Sequence, residues 1–230
     1  MSVPIGRAVD RIAAAAVAGG LSVSLAVAVL VTPSPDPRVE DAHRAARELV
    51  ALTRAGEHAT YVGRYVETLV RADGGRLPST TYVARRKQVL ATRSGTSLHV
   101  YLPDRSYACE LAGTTPSCFD QPPAGLPESE VLRVAVASGA YDVARAEGAQ
   151  IAGEEAECFT MKAHGVNKRL PQFGAETDVC LASDGVPLRK RVYSDRLDAL
   201  EAQHVDRRFD DGTLAPVLGG FEQAAPPTRR

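Results

Sequence analysis

The chain opens with a solid apolar block, Ile12 to Val31, 20 residues without a charge, and after it the apolar positions become periodic. Between Val39 and Ala55, Ala42, Ala45, Ala46, Leu49, Val50 and Leu52 recur at helical spacing, with Arg and Glu on the other side. That period predicts a helix with one narrow apolar stripe. Asp36-Pro37 offers it an N-cap with proline at the first helical position, and Gly56 can close it. From Thr60 to Arg71 the period falls to two. Val62, Arg64, Val66, Thr68 and Val70 alternate with Tyr61, Gly63, Tyr65, Glu67 and Leu69, which predicts a strand.

Asp73-Gly74-Gly75 reads as a hairpin turn. Further strands are predicted over 80–92, 96–102 and 106–111, with turns at Ser94-Gly95 and Pro103-Asp104. The Pro- and Gly-rich stretch Gln121–Pro127 breaks the pattern. Glu128–Ser138 then predicts a short helix whose Val131, Leu132, Val134, Ala135, Val136 and Ala137 spread apolar surface nearly all round. Such a helix is expected to be buried rather than merely docked. Strands follow at 141–147, 155–164, 176–182, 187–194 and 199–206, with a tight turn at Ser183-Asp184-Gly185. The sum predicts an α+β fold: a strongly curved antiparallel sheet with helices against its concave face. The domain reading is 1–34 as a signal peptide or signal-anchor helix, 35–216 as one folded domain, and 217–230 as a frayed tail.

The apolar block sets the compartment. At ~1.5 Å rise per residue, its length matches the ~30 Å hydrocarbon core of a bilayer. Its composition, with 7 Ala, 2 Gly and 2 Ser, inserts more weakly. Two readings stay open: an uncleaved membrane anchor, favoured by length, and a signal peptide cleaved at the small-residue site Ala26-Val27-Ala28. Basic Arg7 and Arg11 precede the block, which puts the N-terminus in the cytoplasm and the domain outside. The localisation expected is therefore a single-pass cell-membrane protein with an extracytoplasmic domain, or a secreted protein. No Cys precedes Cys109, so a lipidated cleavage-site cysteine is excluded.

An oxidising compartment makes the four cysteines expected disulfides. Four cysteines permit three pairings. Cys109 and Cys118 flank a short turn, and Cys158 and Cys180 flank one centred near residue 169, so antiparallel hairpins would set each pair face to face. The expected bridges are Cys109–Cys118 and Cys158–Cys180. Zinc is the rival reading, but zinc pairs usually show C-x2–4-C spacing.

Charge and motifs narrow the function. The net charge is −1, with Lys and Arg scattered among acids, so no nucleic-acid partner is expected. His43, His58, His99, His164 and His204 form no zinc-protease motif, and no nucleophile elbow, phosphate loop or dinucleotide fingerprint appears. No catalytic residue, cofactor or metal is assigned, and an enzyme is not expected. Glu154, Glu155 and Glu157 read as a solvated strand entry. Arg85-Arg86-Lys87 reads as an exposed strand edge, with contact to anionic lipid headgroups as the sharper alternative. Tyr61, Tyr65, Tyr82, Tyr101 and Tyr107 fit sheet packing more simply than the lining of a ligand cavity.

The order of elements resembles the LolA-like superfamily of exported lipoprotein carriers, which includes the LppX/LprG lipid-binding lipoproteins and the sensor domain of RseB-type regulators. The resemblance runs over about residues 43–216. It is carried by the helix before Thr60-Tyr61-Val62, by Leu102-Pro103-Asp104-Arg105-Ser106-Tyr107-Ala108-Cys109, by Gly153-Glu154-Glu155-Ala156-Glu157-Cys158-Phe159, by Val179 to Arg189, and by Leu200-Glu201-Ala202. Within the superfamily it points to exported actinobacterial proteins with this domain. The resemblance implies a half-open β-barrel whose helices line an apolar concavity that takes acyl chains or lipidated partners. Val131, Leu132, Val134 and Val136 are the expected groove-lining residues. The expected function is a non-enzymatic binding protein for a lipid, an acylated ligand or a membrane protein partner, tethered through Ile12–Val31. The alternative is an RseB-type extracytoplasmic sensor that binds a transmembrane regulator.

Overall fold

A computed structural model describes residues 37–219, apart from 71–72, 113–116, 124, 166–168 and 195–196. The Ile12–Val31 block, the Asp36 cap, the turn at Gly113-Thr114-Thr115 and the tail from residue 220 lie outside the described residues. Everything described belongs to the unit Pro35–Arg230. Among these residues no helix is long and apolar enough to cross a membrane.

Helix α1 (Pro37–His58) leads into β1 (Thr60–Val70), β2 (Arg76–Arg86), β3 (Val89–Ser94), β4 (Ser97–Tyr101), β5 (Ser106–Glu110) and β6 (Ser117–Gln121). Helix α2 (Glu128–Ala137) is followed by β7 (Tyr141–Arg145), β8 (Ala149–Ile151), β9 (Glu154–Ala163), β10 (Glu176–Leu181), β11 (Pro187–Tyr193), β12 (Leu197–Asp206) and α3 (Asp211–Leu218). All the strands join one open, curved sheet in the order β6-β5-β4-β3-β2-β1-β12-β11-β10-β9-β7, with β8 paired to β9. Every pairing is antiparallel. The α+β class and the open curved antiparallel sheet are those the periodicities predict.

Register fixes which side chains share a face, since directly opposed residues point the same way. Tyr61, Arg85, Leu90 and Tyr101 stand in one row across β1 to β4. Val62, Ala84, Ala91 and Val100 stand in the next row, on the other face. The first face extends through Phe159, Val179, Lys190 and Leu200. On it, α1 and α2 cover the β7–β9–β10 side, where Ala45, Ala46 and Leu49 of α1 and Leu132 and Ala135 of α2 pack with Tyr141, Val143, Phe159 and Met161. A second cluster joins Tyr61, Tyr65 and Val83 to Leu188, Ala202 and the Cys158–Cys180 bridge. The third, Val62, Ala84, Ala91, Leu98, Val100 and Cys109, is sealed by Val217 of α3.

Four features differ from the sequence expectation. The strand predicted over 80–92 is two strands, because the chain reverses at Lys87-Gln88. Lys87 adopts φ 55° there, a left-handed turn made without the Gly or Asn that usually signals one. Strands β6 and β8 are short and were not anticipated. Helix α3 was not anticipated either, and it lies on the face opposite α1 and α2, so the helices do not all share the concave side. Its ordered chain runs past the expected boundary at Pro216, with Val217 fully buried. Finally, α2 is docked rather than engulfed. Ser129, Leu132 and Ala135 are its buried residues, while Val134 is 52% exposed.

Candidate binding groove

The end of α1 and the start of α2 meet over the sheet and leave a groove of about 670 Å³ between themselves and the strands. Its floor is mainly apolar, with Tyr61, Leu90, Tyr101 and Leu102 from one side of the sheet and Val179, Leu181 and Pro187 from the other, and with Arg85 and Lys190 set among them. Leu126 and Pro127, just ahead of α2, close one wall. Pockets of ~300–1,000 Å³ are the usual size for small-molecule sites.

Backbone proximity sets the position of α1 over the floor. A Cβ on Gly56 would lie 2.0 Å from the carbonyl oxygen of Gly185, and one on Gly185 would lie 2.0 Å from that of Leu52. Gly185 also holds φ +81°, which the tight β10–β11 turn requires. Only two glycines allow the helix to rest directly on that turn. Arg85 of β2 then donates from Nη1 to the Glu57 carbonyl at 3.1 Å, tying the last turn of α1 to the sheet.

The polar groups around the groove are engaged with one another. The Glu57 carboxylate accepts from the Ser129 backbone N–H at 2.8 Å and from the Ser129 hydroxyl at 2.6 Å. Helix α2 has Pro127 at its N-cap and no capping side chain of its own, so Glu57 caps it from another helix. Glu130 pairs with Arg54 and, at 2.8 Å, with Arg133. The Arg133 guanidinium, with Arg54 beside it, holds the Glu130 carboxyl below its ordinary value. Lys190 reaches Glu128 at 2.5 Å and stands 5.4 Å over the Phe173 ring. At the floor, burial pushes the Tyr61 phenol up, opposed by the Arg85 cation beside it. Burial also pushes up the Tyr65 phenol, whose hydroxyl donates to the Pro187 carbonyl at 2.9 Å.

The expected lining residues sit elsewhere. Leu132 is 2% exposed within the core against α1, Val131 and Val136 pack at that core's edge, and Val134 points to solvent. None of the four lines the groove, which meets α2 only at its first turn, through Glu128, Ser129 and Glu130. The apolar face of α2 is spent on α1. Glu57 and Ser129 escaped the sequence reading; a serine at the start of a helix was their only local signal. Tyr61 and Tyr101, read as sheet packing, are floor residues. The cysteines pair as expected: Cys109–Cys118 with Cα atoms 4.0 Å apart and Cys158–Cys180 at 4.1 Å, each directly opposed across two strands.

No protein-family model matches the chain, and no curated protein matches it. Among solved structures it is similar to MucB in the MucA/MucB complex of Pseudomonas aeruginosa, at 15% identity and TM-score 0.47, covering 74% of this chain and 60% of that one. It is similar to MucB alone at 14% identity and TM-score 0.45, covering 80% and 64%. A LolA superfamily protein from Nitrosomonas europaea is similar over 74% of this chain and 96% of its own, at 9% identity and TM-score 0.33. The chain thus spans about three fifths of the length of the MucB structures it matches.

Proposed function

We propose that the domain is an exported, non-enzymatic binding protein whose groove takes the acyl part of a lipid or of a lipidated protein. The carrying observation is the groove itself, an open space of about 670 Å³ with a mainly apolar floor beneath two helix ends. Two disulfides support the extracytoplasmic placement. The carboxylates at the rim are already paired or act as caps, which supports binding rather than acid–base chemistry. Ile12–Val31 would hold the domain at the cell membrane, or be removed to release it. The sequence resemblance to LolA-like carriers favours the same ligand class.

Native mass spectrometry of the purified protein, with organic extraction, is expected to find a co-purifying acyl species. Uptake of a fluorescent fatty acid is expected to fall sharply in Leu126→Asp, with little change in melting temperature, because Leu126 lines the groove yet is 72% exposed. No extracted species together with no uptake by the wild-type protein would overturn the reading.

The second reading, an RseB-type sensor of a transmembrane regulator, has one structural observation in its favour. Strand β6 ends the sheet, and its Phe119 is 62% exposed, an open edge suited to strand addition by a protein partner. A photo-crosslinking residue at Phe119 is expected to trap a membrane protein in native membranes under this reading. Its failure to do so would remove the reading.

A further inference from the structure

We propose that the tip of the β2–β3 hairpin docks on a bilayer of anionic phospholipid and brings the mouth of the groove to the lipid surface. The inference rests on the lipid-binding reading for its purpose, and on separate residues for its evidence. Arg86 and Lys87 are exposed at the tip. Neither has a carboxylate at ion-pair distance among the described residues. Three other cations toward this end of the sheet are neutralised: Arg105 by Asp104 at 2.8 Å, Arg207 by Glu154 at 2.7 Å, and Arg208 by Asp206 at 2.7 Å. Arg86 stands 5.4 Å over the Phe209 ring, and Arg85 of the same hairpin donates to the Glu57 carbonyl, so the hairpin carries three consecutive cations, none of them held by a carboxylate among the described residues.

Two further observations point outward from the same place. Lys87 occupies a left-handed position, φ 55°, where glycine or asparagine would sit with less strain. The turn thus carries a long cation where local geometry favours a small residue. Apolar groups flank the charges: Val89, next to the tip, is 39% exposed, and Leu126 is 72% exposed. Gln88 of the tip and Leu126 both line the groove, so a surface that receives the tip lies beside its mouth. Cations beside exposed apolar side chains match a headgroup layer with acyl chains beneath it.

The test uses the full chain with an environment-sensitive dye on Val89→Cys, beside the tip and outside the groove lining, mixed with vesicles of phosphatidylglycerol and phosphatidylcholine or of phosphatidylcholine alone. The dye reports the tip, whatever the N-terminal segment does. A blue shift is expected on anionic vesicles, lost in neutral ones and at high salt. Lys87→Gly relieves the strained turn, so its melting temperature is expected not to fall. Its docked-to-undocked ratio should nonetheless drop about fivefold, the effect of one cation near an anionic surface. Lys87→Arg should retain docking. No blue shift, an equal shift in both vesicle types, or an unchanged ratio in Lys87→Gly would overturn the proposal. Fatty-acid uptake in vesicle-free solution reports the groove independently, so loss of one result without the other identifies which inference failed.

Discussion

Gly56 and Gly185 meet with no side chain between them, and this contact sets where α1 ends over the sheet. A methyl at either position would fall 2.0 Å from a backbone oxygen, which no rotamer change can relieve. Gly56→Ala is expected to destabilise the protein by roughly 1–3 kcal/mol, the usual cost of overpacking. Gly125→Ala, where a Cβ meets nothing within 4 Å, is the control and is expected to be near neutral. Urea midpoints measure both; equal midpoints for the two variants would remove the contact's structural role. Tyr61 and Tyr65 add a pH dependence of definite sign. Burial raises both phenols above their ordinary value of 10.0. Below that value the tyrosines are protonated in both states, and their contribution is constant. As pH rises beyond it, the unfolded chain releases protons that the native chain keeps, so stability falls by up to ~1.4 kcal/mol per pH unit for each tyrosine. Tyr65→Phe is expected to reduce that alkaline slope relative to wild type, and an unchanged slope would show that Tyr65 ionises normally in the native state.

Helix α2 shows how an element can depend on a residue far away in sequence. Its first turn is capped by Glu57 of α1, and Ser129, the residue that receives the cap, is 1% exposed. Removing the carboxylate leaves a buried N–H and hydroxyl unpaired, at a cost of about 1–3 kcal/mol. Glu57→Ala and Ser129→Ala are therefore expected to be coupled, with the double variant less destabilised than the sum by about 0.5–3 kcal/mol. Additive effects in a thermal-melt cycle would refute the cross-helix cap. The same dependence explains what could be read in advance. Helix α1 and strands β1, β9 and β12 announce themselves by local period, and their observed bounds fall within a few residues of those predicted. The Lys87 turn was invisible because it uses a residue that favours no turn. Helix α3 was invisible because Gly212 and Pro216 interrupt an eight-residue segment held in place by a sheet face assembled from β2 to β5. Val131, Leu132, Val134 and Val136 do not border the groove described above, because apolar composition does not say which side α1 will cover. The contact that seats the end of α1 on the sheet, Gly56 against Gly185, pairs residues 129 positions apart (185 − 56).

Across the whole molecule, the two bridges occupy mechanically different places in one sheet. Cys158–Cys180 joins β9 to β10 in the interior, with β7 and β11 outside them and both cysteines at or below 3% exposure. Cys109–Cys118 joins β5 to β6, the last strand at the other end. Their sequence separations are 22 for Cys158–Cys180 and 9 for Cys109–Cys118, which by loop entropy alone correspond to ~3.4 and ~2.6 kcal/mol, too close to distinguish the sites. Position distinguishes them. Loss of the inner bridge leaves a defect in the core against Tyr61, Tyr65 and Leu188, and every strand around it must adjust. Loss of the outer bridge releases a five-residue strand that has one neighbour in the sheet. Cys158→Ala/Cys180→Ala is therefore expected to lower protection from hydrogen exchange throughout the sheet. Cys109→Ala/Cys118→Ala should lower it in β6 and the facing half of β5, leaving β9 to β12 at wild-type rates. If the outer pair's removal also accelerated exchange in β9 to β12, the sheet would be one cooperative unit from edge to edge. The open β6 edge could then not rearrange around a partner without loosening the floor of the groove.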